Sequence, residues 1–161
     1  MRKPFVAGNW KMNTDSHSSV SLAEGVAGGS LDIAGRGVDV AVIPPFVYLQ
    51  AVVKTLNRSN IAVGAQDIYY EQNGAFTGEV SPSMLKDVGC IYVLCGHSER
   101  RHVLGESDEL VNKKVTAAIY WPGYQEDFGK GISSNGVWRI CEYYRSSCNR
   151  LSRSLLAQIN T

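Results

Sequence analysis

The chain changes from apolar to polar within one stretch, Ile91-Tyr92-Val93-Leu94-Cys95-Gly96-His97-Ser98-Glu99-Arg100-Arg101. The four apolar residues at its start are typical of a buried β-strand, and the polar residues after them indicate a turn. His97 therefore places an imidazole just beyond a strand end. In parallel α/β proteins the loops at the carboxyl ends of the strands carry the chemistry, because the rigid sheet fixes their position. We interpret His97 as a candidate catalytic residue.

A second stretch near the start of the chain has the same arrangement. Gly8-Asn9-Trp10-Lys11-Met12-Asn13 follows the apolar segment Phe5-Val6-Ala7 and supplies an amide and a cation. If both strands belong to one sheet, the two loops face one pocket. Taken singly, His97 would be a structural histidine and Lys11 a solvated surface charge, so the functional interpretation depends on the motifs around them.

Short apolar runs alternate with segments of helical periodicity up to about residue 119. Strands are predicted at residues 5–7, 38–43, 61–65 and 91–94, and helices at 17–26, 46–56, 81–89 and 107–118. Ser81 is a candidate N-cap with Pro82 at the first helical position. Asp15 or Ser16 could cap the first helix. Strands that alternate with helices require a parallel sheet with right-handed crossovers, so the sequence predicts an α/β fold of about four β/α units.

Three glycines are expected to end the first helix, namely Gly25, Gly28 and Gly29. The β/α alternation itself stops at about residue 119, and residues 120–161 contain no apolar run typical of a buried parallel strand. That region has one helical stripe, formed by Val137, Cys141, Tyr144, Cys148, Leu151, Leu155 and Ile159. We therefore predict two regions: a β/α region at 1–119 and an atypical tail at 120–161 with a helix at about 137–160.

The composition excludes several classes of protein. The 161 residues include 16 basic and 15 acidic ones, so no net field favours nucleic acid or an anionic membrane. The first residues lack a secretory signal, and no stretch approaches the roughly 18 apolar residues that span a bilayer, so we expect a cytoplasmic protein. The cysteines lack zinc-site spacing and are expected to be buried thiols: Cys90, Cys95, Cys141 and Cys148.

Three motifs resemble the triosephosphate isomerase family in order and in approximate spacing. They are Gly8-Asn9-Trp10-Lys11-Met12-Asn13, Gly74-Ala75-Phe76-Thr77-Gly78-Glu79 and Gly96-His97-Ser98-Glu99-Arg100-Arg101. The resemblance covers about residues 2–119 and implies a TIM-type barrel, of which four β/α units form half. It also implies a glycolytic and gluconeogenic isomerase that interconverts D-glyceraldehyde 3-phosphate and dihydroxyacetone phosphate through an enediolate, with no cofactor and no metal, as a homodimer.

The resemblance assigns roles to individual residues. His97 would be the electrophile, and triosephosphate isomerase is the standard worked example of a neutral histidine in that role. Lys11 would balance the charge of the oxyanion, and Asn9 would orient the substrate and the lysine, so both would bind the substrate. Ser98 and Glu99 are expected to contact His97 and hold it in place without touching the substrate.

Two further features lie within the matched motifs. Thr77 corresponds to the loop that, in the family, inserts near the active site of the partner subunit, which makes it a dimer-interface residue by resemblance. Arg100 and Arg101 are expected to be structural, since paired arginines in a loop commonly bind a neighbouring carboxylate or carbonyl.

The family's catalytic base is absent from the sequence. That base is a glutamate in a Tyr-Glu-Pro-Val-Trp-Ala-Ile-Gly-type segment, and neither Glu126 nor Glu142 has those neighbours. A positioned general base contributes roughly 10²–10⁴ in rate, so we expect a very poor isomerase. The alternative is a catalytically silent half-barrel, truncated or frame-shifted in its tail, that at most self-associates because the outer edges of its first and fourth strands are unpaired.

Overall fold

The computed structural model describes residues 4–30 and 37–120. These residues belong to two compact units that divide between Leu94 and Cys95. The first unit contains strands β1 (Phe5–Asn9), β2 (Asp39–Ile43), β3 (Ile61–Ala65) and β4 (Tyr92–Val93) and helices α1 (Ser16–Gly29), α2 (Leu49–Leu56) and α3 (Pro82–Asp87). The second unit contains helices α4 (Ser98–His102) and α5 (Asp108–Tyr120). The tail helix predicted at about 137–160 lies outside the described residues.

The strands form one parallel sheet in the order β1-β2-β3-β4. The register places Val40 opposite Val6 on one side and opposite Ile61 on the other. Each strand is therefore next to its neighbour in sequence, and each connection between them contains a helix. This architecture confirms the predicted α/β fold with parallel strands.

The sheet is curled. Phe5 on β1 and Tyr92 on β4 have ring centroids only 4.7 Å apart, although β2 and β3 lie between these strands in the sheet order. Gly64 on β3 leaves room for this approach, because a Cβ there would lie 3.1 Å from the Cβ of Tyr92. Four curled parallel strands with intervening helices are the geometry of a partial TIM-type barrel.

The core of the first unit lies between the sheet and its helices. Leu49, Val52 and Leu56 form the buried face of α2, which contacts β3. Helix α1 contacts α2, and its buried residues are the small Ser19 and Ala23. Each fully buried aliphatic side chain contributes about 1.5–3 kcal/mol, so this apolar layer fixes the positions of the strand ends.

Within the described ranges, no helix is both long and apolar enough to cross a membrane.

Helix capping follows the sequence closely at two helices. Asp15 Oδ1 accepts the N–H groups of His17 and Ser18 at 3.0 and 2.8 Å, and Ser18 Oγ accepts the Asp15 N–H at 2.8 Å. Ser81 caps α3 through the Met84 N–H, as its sequence position predicted. The expectation that glycines end α1 near residue 26 is wrong, because the helix continues to Gly29. A glycine ends a helix by adopting positive φ, and none of the three glycines does so.

The exposure of β1 also differs from the prediction. The sequence indicates a buried strand, but Val6 is 58% exposed, and Ala7 and Gly8 are exposed as well. Among the described residues, β1 pairs only with β2 and β4 only with β3. Parallel strands are buried when neighbours and covering helices surround them, so the edge position explains the exposure of β1.

Candidate active site

The loop after β1 brings Asn9 and Lys11 together. Asn9 is the last residue of β1, and its Oδ1 accepts the Lys11 N–H at 2.9 Å. Trp10 N–H donates to Ile43 O at 3.0 Å, which continues the β1–β2 hydrogen bonding past the strand end. The two predicted site residues of this loop are therefore held by the sheet and by each other.

Lys11 has a backbone conformation that is rare for a residue with a side chain. Its φ is +56°, and such left-handed residues carry about 1–3 kcal/mol of strain that the surrounding contacts must offset. Gln66 supplies one such contact, since its Nε2 donates to Lys11 O at 2.7 Å and to Ile43 O at 3.2 Å. The strained backbone fixes the direction in which the exposed Lys11 side chain leaves the loop.

Gln66 joins the candidate site through its hydrogen bonds, and no motif pointed to it. It follows directly on β3, as Lys11 follows closely on β1, and one side-chain nitrogen links the ends of β1 and β2 to β3. A signal was present, because polar residues just beyond parallel strands are the ones placed at the functional edge of a sheet.

In the second unit, His97 is the N-cap of α4. Its Nδ1 accepts the Glu99 N–H at 3.2 Å, and its carbonyl accepts the Arg101 N–H at 3.0 Å. Gly96 precedes it with φ +67°, and a Cβ at Gly96 would lie 2.7 Å from Val111 Cγ1. Only glycine therefore fits the turn that leads into His97. The sequence predicted a polar turn here, and the structure adds a short helix to it.

The hydrogen bond at Nδ1 selects a tautomer of His97. Only an Nδ1 without a proton can accept the Glu99 N–H, so the proton of the neutral ring lies on Nε2. Glu99 Oε2 lies 3.5 Å from the same Nδ1. If the proton were on Nδ1 instead, this carboxylate oxygen could accept it in a hydrogen bond. The tautomer balance therefore depends on where the first turn of α4 lies. Ser98, the other predicted supporting residue, is the half-buried first residue of α4.

The paired arginines after His97 bind carboxylates, as predicted. Arg100 Nε lies 2.7 Å from Glu106 Oε1, and Arg101 pairs with Asp108. The second pair is more exposed than the first, with Asp108 half exposed and Glu106 buried. This arrangement confirms the structural interpretation of both arginines.

Glu106 is the centre of a buried ionic cluster. Its side chain is 4% exposed, and Oε1 accepts hydrogen bonds from both Arg100 Nε and Lys114 Nζ. The Lys114 side chain is only 2% exposed. Burial by itself raises the pKa of the Glu106 carboxyl, but the hydrogen bonds from Lys114 and Arg100 outweigh burial and hold that pKa below its ordinary value. The cluster therefore contains an ionised carboxylate at neutral pH.

Thr77 lies exposed in the long loop between β3 and α3. The loop is closed at its base by a hydrogen bond from Tyr69 N–H to Val80 O at 2.8 Å. The rings of Tyr69 and Phe76 pack with centroids 4.9 Å apart, and Gly74 permits the turn with φ +139°. The loop that contains Thr77 is thus held by its own contacts, and its role in a dimer remains a prediction.

A model of the triosephosphate isomerase family matches residues 4–121, which is most of the chain. The chain belongs to the triosephosphate isomerase family. The curated triosephosphate isomerase of Carboxydothermus hydrogenoformans is 52% identical over 121 residues, 75% of this chain and 47% of that protein. Those of Syntrophotalea carbinolica and Roseiflexus castenholzii are 50% and 51% identical over 119 residues, 74% of this chain and 46% of each protein.

The chain spans about half the length of the curated triosephosphate isomerases it matches. The resemblance drawn from its three motifs is confirmed. Of the predicted site residues, Asn9 and Lys11 lie in the first unit, whereas His97, Ser98 and Glu99 lie in the second. The expectation that the two loops face one pocket stays a prediction, as do the individual catalytic roles.

Proposed function

We propose that the chain has the isomerase activity of its family, the interconversion of D-glyceraldehyde 3-phosphate and dihydroxyacetone phosphate by proton transfer through an enediolate. The observation that carries the proposal is the hydrogen bond from the Glu99 N–H to His97 Nδ1 at 3.2 Å. It leaves Nε2–H as a neutral donor. A donor held in place before the reaction stabilises the oxyanion that develops on the substrate, without reorganising as the charge forms.

Lys11 supplies the cation in this proposal. Both its backbone N–H and its carbonyl are bonded, to Asn9 Oδ1 at 2.9 Å and to Gln66 Nε2 at 2.7 Å. A lysine whose backbone is fixed in this way loses less freedom when it binds an anionic substrate. Because Asn9 Oδ1 is engaged by Lys11, we assign the side-chain NH₂ group of Asn9 to the substrate.

The 161 residues contain no segment like the glutamate segment of the family. For these residues alone, the proton on carbon must leave to another group or to water, and we expect a rate about 10²–10⁴ below that of a site with a positioned base. We also propose the cytoplasm as the location, because the activity belongs to glycolysis and gluconeogenesis.

A coupled isomerase assay on Lys11→Met tests the role of the cation. We expect kcat/KM to fall about a hundredfold, because a charge that stabilises the enediolate is lost. Lys54→Met is the matched control, since Lys54 is an exposed lysine in the last turn of α2. Equal activities of the two variants would contradict the assignment of Lys11.

A second candidate function is a catalytically silent half-barrel that self-associates. It is favoured by the outer edges of β1 and β4, which have no strand partner among the described residues, and by the exposed Phe76 and Thr77 in the β3–α3 loop. Sedimentation at several concentrations tests it. A dimer without activity dependent on His97 would support this candidate over the enzyme.

A further inference from the structure

Helix α4 is too short to determine its own position. It has five residues, and none of them is buried. Isolated helices below about 12–15 residues are marginal in water. Contacts from outside the helix must therefore fix where it lies, and with it the N–H group that it presents to His97.

Glu106 contacts α4 through both its backbone and its side chain. The Glu106 N–H donates to Arg100 O at 3.1 Å, and Glu106 Oε1 accepts from Arg100 Nε at 2.7 Å. Gly105, just before this residue, has φ +76°, a conformation that favours glycine. One residue thus binds Arg100 at two separate points, which restrains both translation and rotation of the short helix.

Glu106 is in turn anchored to the much longer helix α5. Lys114 on α5 donates to the same Oε1, and the side chains of both residues are almost fully buried. Among the described residues, Glu106 Oε2 has no hydrogen-bond partner, so the binding capacity of the carboxylate is concentrated on the oxygen that joins the two helices. The cluster links α4 to α5 through one atom.

The residues on either side of Arg100 contact His97. The Arg101 N–H donates to His97 O, and the Glu99 N–H donates to His97 Nδ1 at 3.2 Å. The competing acceptor, Glu99 Oε2, lies only 3.5 Å from that nitrogen. A small displacement of α4 would therefore weaken the N–H donor and favour the tautomer with the proton on Nδ1.

We propose that Arg100 and Glu106 are positioning residues for His97: they hold α4 so that its first turn keeps the imidazole in the Nε2–H tautomer. The inference rests on the proposed function only in that the isomerase reaction is what makes the Nε2–H tautomer useful. The positioning itself is a property of the chain that can be measured without any substrate.

The test is the tautomer ratio of His97 in the full 161-residue chain, read from the ¹⁵N chemical shifts of the ring. Arg100→Met should lower the ratio of Nε2–H to Nδ1–H by about twofold to tenfold, the range that one hydrogen bond supports. Arg101→Met is the matched control. It removes the same charge from the neighbouring position of the same helix but leaves the Glu106 cluster intact, and it breaks only the more exposed pair with Asp108, so the ratio should change less than in Arg100→Met.

Lys114→Met separates positioning from stability. It removes a cation from the same carboxylate on the α5 side and leaves the bond between Arg100 and Glu106 in place, so its effect on the ratio should be smaller than that of Arg100→Met.

If Arg100→Met does not fold, Arg100→Lys replaces it. Arg100→Lys keeps a cation but loses the planar guanidinium, and we expect a shift in the same direction of about twofold.

An unchanged ratio in the folded Arg100 variant would overturn the inference, as would an equal shift in Arg100→Met and Arg101→Met. The two proposals fail separately. A shifted ratio in a chain without activity dependent on His97 would support the positioning and reject the isomerase. An unshifted ratio in a chain whose activity is lost in His97→Gln would do the reverse.

Discussion

Replacing Glu106 by Gln should destabilise the chain more than replacing either cation that binds it. The substitution keeps the shape of the side chain and removes only its charge, so no cavity contributes. It leaves two cations around one buried position, and one of them, the Lys114 side chain, is 2% exposed. Removing one partner of a buried ion pair lowers the free energy of unfolding by about 3–5 kcal/mol.

Lys114→Met is expected to be milder. Glu106 would keep Arg100 at 2.7 Å as its counterion, so the loss is one hydrogen bond to a charged group, about 1.5–3 kcal/mol. The double variant Glu106→Gln/Lys114→Met should be less destabilised than the sum of the single variants, because the second substitution removes a cation left without its carboxylate. We expect a coupling energy of about 1–3 kcal/mol.

Urea unfolding of the full chain at pH 7, followed by far-ultraviolet circular dichroism, measures these free energies. The slope of the transition must be the same for all variants if the comparison is to report stability alone. Equal losses in Glu106→Gln and Lys114→Met, or strict additivity in the double variant, would refute the role assigned to Glu106 as the common acceptor.

Three further predictions use the same chain. Gly96→Ala should lower the free energy of unfolding by about 2–4 kcal/mol, because the new Cβ would lie 2.7 Å from Val111 Cγ1 and the residue has a positive φ. Gly105→Ala is the control, since its φ is also positive but a Cβ there would have no atom within 4 Å, so it should lose only the energy of the unfavourable backbone conformation. Equal losses of the two variants in urea unfolding would contradict the clash with Val111. The pKa of Glu106 is lowered from 4.5 in the folded chain, so on acidification the unfolded chain binds the proton first. The difference in unfolding free energy between the native chain and Glu106→Gln should therefore be full above pH 4.5 and should shrink as the pH falls below it. A difference that stays constant with pH would be evidence against the ion cluster. Burial raises the pKa of the Cys90 thiol to about 12, so a thiol reagent at pH 8 should label Cys90 only as fast as the chain unfolds. Peptide mapping measures the labelling rate, and a rate equal to that of a free thiol would contradict the burial.

The sequence predicted best the features that depend on local chemistry. Each predicted strand and helix among the described residues is present, and the capping roles of Asp15, Ser81 and Pro82 follow from side chains next to the backbone groups they satisfy. The pairing of Arg100 and Arg101 with carboxylates was also predictable. Its partners were not, because they depend on how the chain returns after α4.

The features that the sequence did not reveal depend on tertiary contacts. Lys114 lies on the same face of α5 as the buried Val111 and Ala118, but hydropathy patterns place a lysine in solvent. The buried carboxylate of Glu106, which accepts a hydrogen bond from Lys114, helps to make that position favourable. The exposure of β1 is a similar case, since the residues Phe5-Val6-Ala7 are apolar but lie on a strand with one strand neighbour among the described residues.

The candidate site was found from the sequence as separate loops. His97, Lys11 and Asn9 were recognised by motif, and the roles assigned to them stay predictions. Gln66 and the tautomer of His97 needed coordinates, because each depends on a hydrogen bond whose geometry no spacing reveals.

A coupled isomerase assay on the purified full chain, beside the His97→Gln variant, measures whether His97 acts as the electrophile. Both proteins must be prepared identically, since isomerase from the expression host would give the same background in each. We expect weak activity in the native chain and a further loss of about 10²–10³ in His97→Gln, the effect of removing one donor to the oxyanion. Equal activity in the two proteins would mean that His97 is not the electrophile of this chain.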